Sequence, residues 1–217
     1  MAPIWHHPAL LFLATMLWSA TLSLSTPPTL RPPPHPTSLA GELLIASPGI
    51  ADPRFQHAVI LIVKEDGGGA LGIVINQPIA IVPLADLVHA TGQSAAGIKG
   101  NVRIFAGGPV APQTGFVIHS ADYHRAGTIA INGRVAMTMN PEVLRDIGHD
   151  IGPAKYLIAF GYAGWAPGQL AAELARGDWF VTPENASLVF TAKRTRVWAD
   201  AMADAMHHAM PHRAMPP

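Results

Sequence analysis

No cysteine occurs among the 217 residues. That excludes disulfides, zinc–thiolate sites and thiol nucleophiles, and it leaves the redox compartment undetermined. The chain also lacks net charge, because fourteen Lys and Arg cancel fourteen Asp and Glu. A neutral balance gives no general pull toward polyanions. There is no repeat with the period of a solenoid or propeller. There is no G-x-S-x-G elbow to present a serine nucleophile, and no helix-turn-helix pattern to enter a DNA groove. The length suits one domain plus an extension.

The extension is the N-terminal segment. The first forty residues hold eight of the 21 prolines and one charged side chain, Arg31. Residues 9–24 are mostly apolar and resemble the h-region of a signal peptide or a short membrane anchor. Their flank MAPIWHHP carries no Lys or Arg, and the run is short of the ~20 residues a spanning helix prefers. The alternative is a start site assigned too far upstream. Thr26 to Ser38 reads as a Pro-rich linker. Nothing in residues 1–39 shows a periodic core-facing pattern, so their removal is expected to change stability by less than ~0.5 kcal/mol.

From Gly41 the pattern becomes short apolar strands separated by turns. Strands are read at Glu42–Ala46, His57–Lys64, Leu71–Asn76, Val102–Phe105, Gly115–His119, Gly127–Ile131, Val135–Met139 and Lys155–Phe160. Helices are read at Leu84–Thr91, from Asn140-Pro141-Glu142 through Ile147, at Leu170–Arg176 and at Thr195–His208. Asp52-Pro53 and Thr182-Pro183-Glu184 read as further helix starts, since a polar N-cap followed by proline loses no hydrogen bond. Trp198 and Met202 lie one helical turn apart and share a face. Strands and helices mix without strict βαβ alternation, which points to an α+β or complex α/β fold.

Several motifs carry competing readings. Gly67 to Gly72 matches G-x-G-x-x-G, but a strand rather than a helix follows, so a hairpin loop fits better than a nucleotide site. His119-Ser120-Ala121-Asp122 contains hydrolase residue types on one short segment; a strand end whose polar groups satisfy a turn is the plainer reading. His207, His208 and His212 cluster in the tail, where His207 and His212 could share a metal, but the flanks are Met, Ala and Pro and a frayed tail is the plainer reading. Lys193, Arg194 and Arg196 form a basic cluster of three charges, read as a solvated edge. Trp165, Trp179 and Trp198 read as core or cover residues, with a partner groove as the functional alternative.

Taken together, GELLIASPGIADPRF, ALGIVINQP, GGPV, GFVIHS, GYAGWAPGQL and Trp179 resemble the YqgE/AlgH family of bacterial proteins across residues 41–198. The resemblance implies an α/β (mixed α+β) single domain with a barrel-like, bifurcated sheet flanked by helices. It implies a usually cytoplasmic protein; export or anchoring through residues 9–24 is the alternative. For some members it implies a reported link to transcriptional control of exopolysaccharide production. It implies no established enzyme activity, and it transfers no catalytic, cofactor or metal residues. The extension and the end AMADAMHHAMPHRAMPP depart from the family pattern.

The resulting expectation is an extension at 1–39, a domain at 40–210 and a disordered tail at 211–217. Function is expected to be regulatory and non-enzymatic. A protein partner would contact a surface of Gly107, Gly108, Pro109, Gly161, Tyr162, Gly164, Trp165, Gly168 and Gln169. The runner-up is a small-molecule enzyme with a pocket near Asn76, His119 and Gln169. Direct DNA binding comes third, and membrane contact requires that residues 9–24 be a real anchor.

Overall fold

A computed structural model describes residues 38–209. The extension through residue 37, the tail from residue 210 and with it His212 lie outside the described residues. Strand β1 (Glu42–Ala46) leads through a 3-10 turn (Pro53–Phe55) to a hairpin of β2 (Val59–Asp66) and β3 (Gly69–Val74). There follow β4 (Pro78–Pro83), α1 (Leu84–Ala90), β5 (Asn101–Ala106), β6 (Val110–Ser120), β7 (Ile129–Ala130), β8 (Val135–Thr138), α2 (Glu142–Gly148), β9 (Tyr156–Trp165), α3 (Gln169–Ala175), β10 (Trp179–Pro183), α4 (Ala186–Val189) and α5 (Val197–Ala209). The strands form a mixed but mainly antiparallel sheet that curls into half a barrel, in the order β10-β1-β2-β3-β9-β6-β8-β7. A branch of β4 and β5 joins it through a parallel pairing of β5 with β9.

Both faces of this sheet are apolar. In β2, Val59, Leu61 and Val63 face one core with α4 and α5, where Met202 is buried and Trp198 packs. Ile60 and Ile62 face the opposite side with Trp165, Leu170 and Trp179. Helices α1 and α2 close a third cluster over Val102, Ile104, Val117 and Ile158. The continuous run VILIV is what burial on both faces requires.

Strand β9 is where the sheet divides. It pairs with β5 up to Phe160 and with β6 up to Tyr162; from Ala163 it pairs with β3. The end of β5 enters between β3 and β9. Gly107 donates its N–H to the Phe160 carbonyl at 2.7 Å, and its own carbonyl accepts from Val74 N at 2.8 Å. The backbones meet too closely for side chains. A Cβ on Gly107 would overlap the Gly161 oxygen, one on Gly108 (φ 152°) the Tyr162 carbonyl carbon, and one on Gly161 (φ 76°) the Gly108 oxygen.

Several sequence readings change. GYAGW was expected to follow a strand, yet it is the second half of β9, because its glycines allow backbone contact rather than a turn. PIAIVP and Trp179–Pro183 are strands that were not anticipated; both end in proline, and β4 has no alternation of buried and exposed positions. Thr182 caps no helix: it pairs with Leu43 in the sheet, and Asn185 caps α4 by accepting from Ser187 N at 3.0 Å. Asp52 does cap its turn, but that turn is three residues of 3-10 helix. Ser38 and Leu39, assigned to the extension, belong with the fold. Leu39 is buried, and its N–H donates to the Glu65 carboxylate at 2.5 Å.

Two outcomes follow. Removing residues 1–37 should leave the melting temperature unchanged, whereas removing residues 1–39 should cost about 2 kcal/mol through lost Leu39 burial and its hydrogen bond; equal melting curves would refute this. Gly108→Ala should cost at least about 3 kcal/mol in urea unfolding, while exposed Gly49→Ala, with open space around it, should stay within ~0.5 kcal/mol.

Candidate functional site

The expected surface residues divide into two groups. Gly107, Gly108 and Gly161 are used up in the internal crossing. Pro109, Gly164, Trp165 and Gln169 line one cleft of about 390 Å³ beside α3, together with Asp52, Arg54, Phe55, Glu173, Arg176 and Asp178. Gly168 stands at the N-cap of α3 with φ 76°. Tyr162 turns toward the core, edge-on to Phe116 at 6.1 Å, and also borders a shallower neighbouring hollow.

The cleft is organised around Glu173. Trp165 lies at the end of β9 and Trp179 at the start of β10, and both indoles are buried. A buried indole N–H requires an acceptor. Both donate to Glu173 Oε2, each at 2.8 Å, and Gln169 Nε2 donates to Oε1 at 2.9 Å. Gln169 and Glu173 are four residues apart on α3 and therefore adjacent on its surface. Gln169 Oε1 also accepts from Ala166 N at 3.1 Å, tying the loop to the helix. Trp165, Trp179 and Phe55 pack edge to face at 6.0 and 5.6 Å.

The rim holds two ion pairs. Arg54 folds back onto Asp52, with Nη2 2.6 Å from Oδ2, and this hydrogen bonding holds the Asp52 carboxyl below its ordinary value. Arg176 meets Asp178 at 2.7 Å. The charged lining groups of the cleft are thus satisfied by neighbours. Of these residues, Asp52, Arg54, Glu173, Arg176 and Asp178 were not singled out as site residues. The available signal was the pair of tryptophans, whose indole donors need acceptors, with Glu173 and Asp178 between them in sequence.

Asn76, His119 and Gln169 do not converge. Asn76 accepts from Val59 N at 2.9 Å and donates to the His57 carbonyl at 2.8 Å, joining the start of β2 to the end of β3. His119 is fully buried, with Nδ1 2.9 Å from the Ser120 carbonyl, Nε2 without a protein partner, and its ring edge-on to Tyr123. Burial holds its pKa below the ordinary 6.5. Ser120 Oγ accepts from Lys155 N at 3.0 Å and Asp122 accepts from Ala154 N at 3.0 Å, so the HSAD segment pins the start of β9.

The remaining motifs resolve structurally. Gly67 and Gly68 form the β2–β3 turn, with Gly68 N donating to Asp66 at 2.8 Å. Arg194 is not a solvated edge residue: it is half-buried, and its Nη1 donates to the Val189 carbonyl at 2.8 Å. Arg196 lies 3.4 Å from Asp200. His207 and His208 are exposed, and among the described residues no group of three His, Asp or Glu could hold a metal. No helix among the described residues is long and apolar enough to cross a membrane.

His119 generates a pH dependence. Its folded pKa lies below the unfolded value, so between the two the unfolded chain binds more protons. The contribution is fully present above the unfolded pKa of 6.5 and is lost as pH falls through the folded value. The melting temperature should therefore drop as pH falls below 6.5, with a shallower slope in His119→Phe than in the parent. Parallel slopes in the two proteins would sink this assignment.

Comparison with known proteins agrees with the sheet and its motifs. The sequence profile described as AlgH-like (DUF179) matches residues 43–209. A UPF0301 protein of Sphingopyxis alaskensis is 40% identical over 171 residues, covering 78% of this chain and 90% of the relative. A UPF0301 protein of Methylococcus capsulatus is 37% identical over 179 residues, covering 81% and 98%. The solution structure of AlgH from Pseudomonas aeruginosa is similar with a TM-score of 0.67 and 33% identity, over 83% of this chain and 98% of that one. A Corynebacterium diphtheriae protein, at TM-score 0.60 and 23% identity over 83% and 90%, shares the fold. The matched span takes in the dividing strand, the cleft and all five described helices, and the chain belongs to the AlgH-like family.

Proposed function

We propose that this chain is a non-catalytic interaction protein and that a protein partner seats in the cleft of Pro109, Trp165, Gln169 and Glu173. The observation that carries this reading is the self-sufficiency of the cleft's polar groups. Asp52 and Asp178 are held by Arg54 and Arg176, and Glu173 accepts from two indoles and an amide. Among the described residues no Ser, Thr, His, Lys or Tyr lines the cleft. General acid–base or nucleophilic chemistry needs a group free to exchange a proton or attack. Aromatic residues and arginines beside a concave surface are instead what interface centres use.

Regulation of transcription, where it occurs, then passes through another protein. The chain is neutral overall. Of its three clustered basic residues Arg194 is turned inward and Arg196 faces Asp200. Stable DNA binding draws on several neutralised phosphates.

The test is affinity capture from cell extract with the full chain and with Gln169→Arg, which fills the cleft from an exposed position. A protein retained by the parent and depleted at least about tenfold by the variant is expected. A stoichiometric small molecule lost in the variant would instead make the cleft a ligand pocket. Fluorescence anisotropy on promoter DNA should give binding no tighter than roughly 10⁻⁶ M. Nanomolar, sequence-selective binding abolished by Lys193→Ala with Arg196→Ala would overturn the partner-mediated reading.

A further inference from the structure

We propose that the outer edge of β4 receives an extended acidic peptide segment of a partner protein, added as a further strand with its carboxylates directed to Arg103 and Arg194. This surface is separate from the α3 cleft and does not depend on it.

The first observation is an edge with no neighbouring strand and no charge. Among the described residues β4 pairs with β5 alone, so its other side has no strand. Edge strands are ordinarily protected by charged side chains, proline, a bulge or a covering element, and of these β4 has the prolines and the irregularity but not the charge. The β4 sequence PIAIVP has no charge, and Ile79 and Ile81 are 62% and 65% exposed. A register shift lies between Pro78 and Ala80, and a proline stands at each end. Proline has no N–H to donate, so pairing is confined to the residues between. That suits a short docked segment rather than open-ended sheet growth.

The second observation is a pair of like charges on the same face. Ile81 and Arg103 are directly opposed in the β4–β5 register and therefore share a face. Phe105 lies two residues further along β5 on that face, and the Arg194 guanidinium stands 4.8 Å from its ring. Among the described residues neither Arg103 nor Arg194 meets a carboxylate. Arg194 donates only to the carbonyls of Ile75 and Val189. Burial and the charge of Arg103 together lower the Arg194 pKa to about 10. Two adjacent cations without an anion are complementary to a carboxylate-bearing partner.

A second copy of this chain fits the edge less well. Its β4 would bring the same uncharged strand and another Arg103, with no acid to offset either. A peptide of alternating apolar and acidic residues meets both requirements. It would lie one strand spacing beyond β4, roughly 10 Å from β5, a span that a glutamate and an arginine side chain bridge together. In strand addition the main-chain bonds supply affinity and the alternate side chains supply specificity.

The experiment uses the full chain and three labelled eight-residue peptides: alternating Val and Glu, alternating Val and Lys, and the Val/Glu peptide N-methylated at alternate residues. Anisotropy should show saturable binding of the Val/Glu peptide, weakened at least about tenfold by high salt. The Val/Lys and N-methylated peptides should bind at least about tenfold more weakly. Arg103→Glu, at an exposed position, should reverse the preference toward Val/Lys with an unchanged melting temperature. Gln169→Arg should bind as the parent does, which separates this surface from the cleft. The proposal is overturned by no binding of Val/Glu, by equal binding of Val/Glu and Val/Lys, or by undiminished binding of the N-methylated peptide. It is also overturned if the chain self-associates in solution through this edge, seen as a dimer that Ile81→Ser converts to monomer.

Discussion

The backbone crossing of Gly107 and Gly108 with Gly161 is the contact on which the rest of the structure depends. Paired strands lie about 4.8 Å apart, and a third strand can enter between two of them only where backbone replaces side chain. At this point β9 leaves β5 and joins β3. Buried N–H and C=O groups must stay paired through the change. Gly107 achieves this by donating to Phe160 and accepting from Val74. The crossing therefore divides the sheet while keeping the main-chain hydrogen bonds of both branches.

The cleft is a consequence of that division. Beyond Gly161, β9 carries Trp165 to the face opposite α5, where Trp179 meets it from β10. Two buried indoles need an acceptor, and Glu173 supplies one oxygen to both. A half-buried carboxylate is costly to desolvate, and three donors on Glu173 offset that cost. Glu173 acts here by fixing α3 against the sheet. With the two rim arginines already paired, the cleft is left with shape and aromatic surface rather than reactive groups.

Local signals in the sequence were legible and tertiary ones were not. The apolar run of β2, the Asp52 cap and the shared face of Trp198 and Met202 follow from spacing and short-range chemistry, and they stand in the structure. The glycines of GYAGW were assigned to a partner surface because glycine permits close approach. At Gly161 the approach is real, but the approaching backbone is that of Gly108 in this chain, whereas Gly164 lines the cleft. Glu173 was missed because its partners are eight and six residues away on two different strands. Arg194 was read as solvated, since nothing in Lys193-Arg194-Thr195-Arg196 signals that one side chain reaches under Phe105. Strand β4 was missed because its apolar residues are exposed and so show no alternation.

That last omission has a physical origin in the crossing. β5 runs parallel to β9 and ends at the glycine wedge, and among the described residues β4 pairs with β5 alone. A two-stranded branch leaves such an edge, and its usual guards are charge, proline or a bulge on the edge strand itself. Here the charge sits one strand inward, at Arg103, with Arg194 beside Phe105 on the same face. Positive charge set back from an apolar edge repels a second copy of itself but not an acidic strand. The same geometry that buries one side of the branch thus leaves its other side selective in the sign of what it can accept.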